Sequence, residues 1–282
     1  MNIIWIRLST KGLCHNRKQG PPLNVVVFGE TGAGKSSIIN MLDGDEQAEV
    51  SSAATGVTSR NTCYVKTIQD RTFHVYDTAG LNEGTVGQVS ARDAIEGLYS
   101  LICDLAGGVN LLVFVMRAPR ITIVAQQNYR MLYDIICNKK VPIVIVITGL
   151  EHEQDPDKWW FTHKGSFDSQ DMLFSGHACI TATEGVLKGK AIFGEAYSDS
   201  RKKVAGLIVE SFTTKPWKMQ EVSWFSATVA QVLDILGIKS SDFNPQLYEL
   251  LKTYGGLTQK EAMKLTKKMP TQKWNGRFPF FT

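Results

Sequence analysis

The densest chemistry in the sequence is the octapeptide Gly29-Glu-Thr-Gly-Ala-Gly34-Lys35-Ser36, which fits GxxxxGK[ST] without a gap. Its glycines let backbone N–H groups turn inward around a phosphate, which also meets the positive end of the following helix. The Lys35 ammonium is a point charge for β- and γ-phosphates, and the Ser36 hydroxyl is a hard oxygen donor suited to magnesium. Gly29, Glu30, Thr31, Gly32, Ala33, Gly34, Lys35, Ser36 and Ser37 are the expected phosphate cradle.

A second cluster, Asp77-Thr-Ala-Gly80, begins 77 − 35 = 42 residues beyond Lys35. A carboxylate ending a strand beside such a loop can hold magnesium, directly or through water. The Gly80 N–H can approach the terminal phosphate, because no side chain stands in its way. Between the two clusters runs SSAATGVTSRN (51–61), polar and without periodicity. Such a segment suits a switch ordered by the terminal phosphate. Thr58, nearest the following strand, is the expected magnesium-coordinating threonine, and Thr55 is the alternative. Lys35, Thr58 and Gly80 are thus the expected catalytic set, and Ser36, Thr58 and Asp77 the metal set.

These residues need a scaffold that brings strand ends together. Residues 23–28 (LNVVVF) form a short, continuous apolar run rich in β-branched side chains, as in a strand buried on both faces. Residues 109–116 and 141–148 repeat the pattern, and 177–183 repeat it weakly. Amphipathic stretches at 35–42, 91–105 and 124–137 alternate with them, which implies βαβ units. Residues 63–69 and 72–76 flank Asp70-Arg71 and read as a hairpin, so one strand runs antiparallel. A helix over 201–212 closes this part. The expected fold is α/β: a P-loop NTPase G domain with a mostly parallel sheet, one antiparallel strand and helices on both faces. The expected division is a loose leader at 1–22, the G domain at 23–213 and a helical C-terminal extension at 214–282, with helices at 228–236, 244–253 and 258–268.

Phosphate loop, switch threonine, DTAG and hairpin in this order resemble the TRAFAC-class small GTPases. Asp77-Thr-Ala-Gly-Leu-Asn82 with Gly56-Val-Thr58 looks most like the septin and immunity-associated branch, and residues 109–150 are similar to fungal G-domain proteins. The resemblance spans about residues 23–213 and implies GTP or GDP as the bound nucleotide with Mg2+. Relatives read guanine with N/TKxD; the corresponding place here is Thr148-Gly149-Leu150-Glu151. Glu151 retains a carboxylate for the guanine N1 and N2 donors, while Gly149 lacks the lysine stem that packs on the base. The family's backbone-reading SAK loop falls at Thr181-Ala182-Thr183, 181 − 148 = 33 residues on, after a polar connector at 153–171 whose Trp159 and Trp160 pack it down.

Ras-like enzymes orient the attacking water with a glutamine directly after DxxG, and Leu81 stands there instead. The resemblance therefore implies slow GTP hydrolysis raised by self-association or an activating protein. A scaffold that hydrolyses hardly at all is the second reading, and an ATP-using P-loop enzyme the third.

Bulk properties narrow the partners. Hydrophobic residues at 43% suffice for a core. The net charge of +4 is slight and spread along the chain, so no nucleic-acid partner is expected. No run reaches the roughly 18 to 20 apolar residues of a membrane span, and membrane contact is not expected. Five scattered cysteines without a CxxC pair suit a reducing cytoplasm. The five histidines lack metal-ligand spacing and read as ordinary surface or core groups.

Overall fold

A computed structural model of the chain describes residues 23–42, 50–51, 62–78, 107–187 and 190–218. The expected leader, Thr58 and most of its segment, Gly80, the helix at 91–105 and the three C-terminal helices lie outside the described residues.

The first apolar run becomes β1 (Leu23–Gly29), and its side chains divide between two cores. Val26 and Phe28 join one, and Val25 and Val27 the other. This is the alternation of a strand buried on both sides. β1 lies between β4 (Arg71–Asp77) and β5 (Leu111–Arg117), parallel to both. β6 (Ile143–Thr148) and β7 (Gly176–Cys179) continue the parallel ladder beyond β5. On the far side, β3 (Thr62–Ile68) pairs antiparallel with β4, and β2 (Val50–Ser51) pairs antiparallel with β3. The sheet has the order β2-β3-β4-β1-β5-β6-β7, with β3 alone running against the rest. The expected α/β architecture is what folds.

Helices cover both faces. α1 (Lys35–Met41) and α4 (Gly194–Ser211) bury Ile38, Ile39, Val204 and Ile208 in one core. α2 (Ile123–Tyr129) and α3 (Pro156–Asp168) bury Ala125, Tyr129, Trp160 and Phe167 in the other. Trp159 and Trp160 do hold their segment down, the latter stacked on His177 at 4.5 Å between centroids.

Several boundaries differ from the sequence reading, each for a local reason. The hairpin turns at Gln69-Asp70, not Asp70-Arg71; both carry positive φ (47° and 63°), the two-residue turn whose twist matches its strands. The helix expected over 124–137 ends as α2 at Tyr129 and continues as a π-helical turn over Arg130–Ile136. There the Cys137 N–H reaches the Leu132 carbonyl five residues back, at 2.9 Å. The connector expected at 153–171 is mostly helix α3, with Pro156 in its first turn where a missing N–H costs nothing. The closing helix starts at Gly194 rather than residue 201. Strand pairing of the fourth parallel run stops at Cys179, leaving 180–183 as a loop.

After α4 the chain returns to the start of β5. Val109 and Trp217 exchange backbone hydrogen bonds at 2.8 and 2.9 Å, and the Asn110 side-chain amide donates to the Thr213 carbonyl at 2.7 Å. Asn24 is drawn into the same corner, donating from its side chain to the Gly108 carbonyl at 2.6 Å.

Lys66 on β3 is buried, at 2% exposure, with its ammonium 5.3 Å from the centre of the Tyr64 ring. Burial disfavours the charge and pushes its pKa down to about 8. Its side chain belongs to the structure, outside the candidate site.

Candidate functional site

Strand order dictates the order of the site. In an open α/β sheet, ligands bind beyond the carboxyl ends of the parallel strands. Here those ends, along β4-β1-β5-β6-β7, carry Asp77, the 29–36 loop, Arg117, Thr148 and the 180–183 loop in turn. Neighbouring strands stand about 4.8 Å apart, so this edge runs close to 20 Å, enough for an extended mononucleotide. One cavity of about 570 Å³ follows it. Lys35, Ser36, Ser37 and Asp77 line it with Thr31, Gly32 and Gly34; Arg117, Thr148, Glu151, His152, Ala182, Thr183 and Phe193 complete the wall.

The phosphate loop owes its shape to three glycines with positive φ: Gly29 (149°), Gly32 (78°) and Gly34 (100°). Gly29 also has no room for a side chain, because a Cβ there would stand 2.1 Å from the Val115 carbonyl oxygen. The Lys35 ammonium folds back into the loop and donates to the Gly29 and Glu30 carbonyls at 3.1 and 3.0 Å. Two fixed acceptors thus hold a cation that also faces the cavity. Glu30, expected within the phosphate cradle, sends its carboxylate to the hydroxyl of Thr122, which caps α2 by accepting from the Ala125 N–H. Its side chain serves the loop's outer surface, and Glu30 is not among the cavity-lining residues.

Ser36 Oγ donates to Asp77 Oδ2 at 3.3 Å. Asp77 is 6% exposed, and Thr78 next to it is fixed by hydrogen bonds from its N–H and its hydroxyl to the Val27 carbonyl, each 3.2 Å. One hydroxyl and one carboxylate, close together at the phosphate end, are hard oxygen donors that fit magnesium with phosphate oxygens as the remaining ligands. Among the described residues no group of three His, Cys, Asp or Glu side chains could hold a metal by itself.

At the other end, Thr148 is fully buried, and its hydroxyl donates to the Ala33 carbonyl of the phosphate loop at 2.6 Å. Gly149 takes φ 81°, turning the chain so that Glu151 reaches the cavity. Thr181 is 3% exposed, with its N–H donating to Ser200 Oγ on α4 at 2.9 Å, and Ala182 faces the cavity. Gly29, Ala33 and Thr181 support the site without lining it.

Sequence reading assigns none of Arg117, His152 and Phe193 to the site, whereas Thr183 lines the cavity from the loop expected at 181–183. Arg117 could have been found as the charged residue that ends a buried parallel strand. His152 reads as an ordinary surface or core histidine, yet it lines the cavity and meets Phe193 edge-on at 5.7 Å. Phe193 carries no local signal, since only the fold brings it there.

Residues 24–149 match the family model described as 50S ribosome-binding GTPase. The tRNA modification GTPase MnmE of Aromatoleum aromaticum is 39% identical over 82 residues, covering 28% of this chain and 18% of the relative. MnmE of Psychrobacter arcticus is 36% identical over 94 residues, covering 29% and 20%. The chain thus spans about a fifth of the length of the curated relatives it matches. Among solved structures, Era in complex with MgGDPNP and 16S ribosomal RNA aligns with a TM-score of 0.42 at 15% identity, over 74% of this chain and 65% of that one. These relatives correct one expectation. A slight net charge spread along the chain does not exclude nucleic acid, since the matched curated proteins are tRNA modification GTPases. Net charge averages over the whole surface and is blind to a local patch. Among the described residues no helix is long and apolar enough to cross a membrane.

Proposed function

We propose that this chain, which carries a GTP-binding G domain of the P-loop GTPase type, is a slow GTPase whose turnover rises on self-association or contact with an activating protein. The observation that carries the reading is the single cavity in which Lys35, Ser36 and Asp77 share walls with Glu151 and Ala182. In the proposed complex Lys35 contacts the β- and γ-phosphates, and inward N–H groups of the loop surround them. Glu151 accepts from guanine N1 and N2, and the backbone at Thr181 and Ala182 meets the base edge. Ser36 and Asp77 would hold Mg2+, with Thr58 joining them; the ion would neutralise charge building on the phosphates. Gly80 would offer its N–H to the γ-phosphate.

Hydrolysis requires water to attack the γ-phosphorus while the bond to the β–γ bridging oxygen breaks, releasing GDP and phosphate. Leu81 cannot hydrogen-bond that water. This supports slow intrinsic turnover, to which an external arginine could add on the order of 10³ to 10⁵ in rate. Buried thiols at Cys137 and Cys179 support a reducing, cytoplasmic setting. The septin and immunity-associated branch rests on Gly56-Val-Thr58 and Asp77 to Asn82. Leu81 also favours a second reading, a scaffold that holds GTP with almost no turnover.

Single-turnover hydrolysis at low and high protein concentration, beside the Lys35→Ala variant, tests the proposal. Slow hydrolysis that quickens with concentration or a partner, and loss of nucleotide in the variant, are expected. Full nucleotide affinity in Lys35→Ala would sink the site; fast, concentration-independent hydrolysis would sink the slow-switch reading; none under any condition would favour the scaffold.

A further inference from the structure

The nucleotide cavity has a wall that the base-recognition segment does not supply. We propose that Arg117 is that wall, its guanidinium plane forming the surface on which the base stacks in place of the side chain that position 149 lacks. The inference rests on the reading of this cavity as a GTP site.

Position 149 cannot do the task. It is glycine at φ 81°, a backbone conformation that L side chains rarely adopt. The space a side chain would leave from there is already taken. A Cβ built on Gly149 would stand 3.0 Å from Arg117 Cγ, 3.4 Å from Nε and 3.5 Å from Cζ. The stem and guanidinium of Arg117 therefore lie over the glycine, in the volume that a side chain on residue 149 would fill.

Arg117 is also held at its root. It ends β5 in register with Thr148 on β6, and the next residue, Ala118, donates its N–H to the Thr148 carbonyl at 2.9 Å. Thr148 is in turn bonded to the phosphate loop. Root and loop thus keep a fixed spacing. Among the described residues the guanidinium makes no hydrogen bond or ion pair, and it lines the cavity beside Glu151 and Phe193. A planar, delocalised cation with an open face is a stacking partner for a purine ring. Its role is affinity for the base and orientation of the base edge toward Glu151, with no part in gripping phosphates.

The test is calorimetric titration of GDP-magnesium and of tripolyphosphate-magnesium, a probe that has the phosphates and no base. Arg117→Ala should weaken GDP about 10-fold and leave tripolyphosphate affinity as in the wild type. Arg117→Lys keeps the charge and the stem, guarding against a folding artefact, and should fall between the alanine variant and the wild type, because its stem still packs but the plane is gone. Full rescue by lysine, which would make the plane unnecessary, or parallel weakening of tripolyphosphate, which would mean a Coulombic role, would overturn the proposal. So would equal GDP affinity in wild type and Arg117→Ala, while leaving the GTP-site reading intact. A wild type that bound tripolyphosphate but no GDP would refute the GTP-site reading and this inference with it.

Discussion

The hydroxyl of Thr148, at the end of β6, is bonded to the carbonyl of Ala33 in the phosphate loop across 2.6 Å, although 115 residues separate them. The proposed base-reading segment and the phosphate loop are therefore one mechanical unit. In the proposed complex Thr148 acts on the nucleotide through the loop, since its own hydroxyl is committed to Ala33. Thr148→Val keeps the shape and deletes the bond, leaving a buried carbonyl short of a partner. The expected cost is about 1 to 2 kcal/mol in stability, read by denaturant melts, together with weaker GDP binding. Unchanged stability and affinity would show the bond to be incidental.

Ser36 and Asp77 make a second prediction, about magnesium. Loss of even an outer-shell partner of a metal ligand costs roughly 10- to 100-fold in metal affinity, and Ser36→Ala removes a proposed ligand itself. GDP affinity of the wild type should fall when magnesium is chelated. In Ser36→Ala the magnesium-dependent gain should shrink by about 10-fold or more. A variant that kept the whole gain would exclude the Ser36 hydroxyl as a ligand.

Lys66 predicts a pH signature. Its ammonium loses its proton near pH 8 in the folded state, while the unfolded chain keeps it to about 10.5. Below pH 8 both states are charged and the fold bears the full burial cost. Between pH 8 and 10 the unfolded state binds more protons, so this group makes stability rise with pH. Relative to Lys66→Met, which lacks the titrating group, the wild type should gain about 1 kcal/mol or more in stability between pH 7 and pH 10. Paired thermal melts at those pH values measure this, and a constant difference would refute it.

Much of the candidate site is legible because its residues are contiguous. Gly29 to Ser36 sit in one unbroken run between a buried strand and a helix, so local sequence carries both motif and context. β1, β5 and β6 announce themselves as apolar runs because they are covered on both faces. What escaped depends on partners distant in sequence. Arg117 and Phe193 reach one cavity only through the strand order and the placement of α4. Helix α3 was obscured by its polar exposed side, though Asp155-Pro156 was a usable start signal. A π-helical turn like Arg130–Ile136 breaks the 3.6-residue period on which helix reading relies.

The return of the chain to Val109 gives β5 two tethered ends. At its entrance Trp217 is clasped to Val109; at its exit Arg117 stands over Gly149. A load applied to the polypeptide at Trp217 therefore acts in line with the strand that leads to the mouth of the pocket. Pulling there would strain the domain from the end of β5 opposite the cavity, through the hydrogen bonds that join Trp217 to Val109.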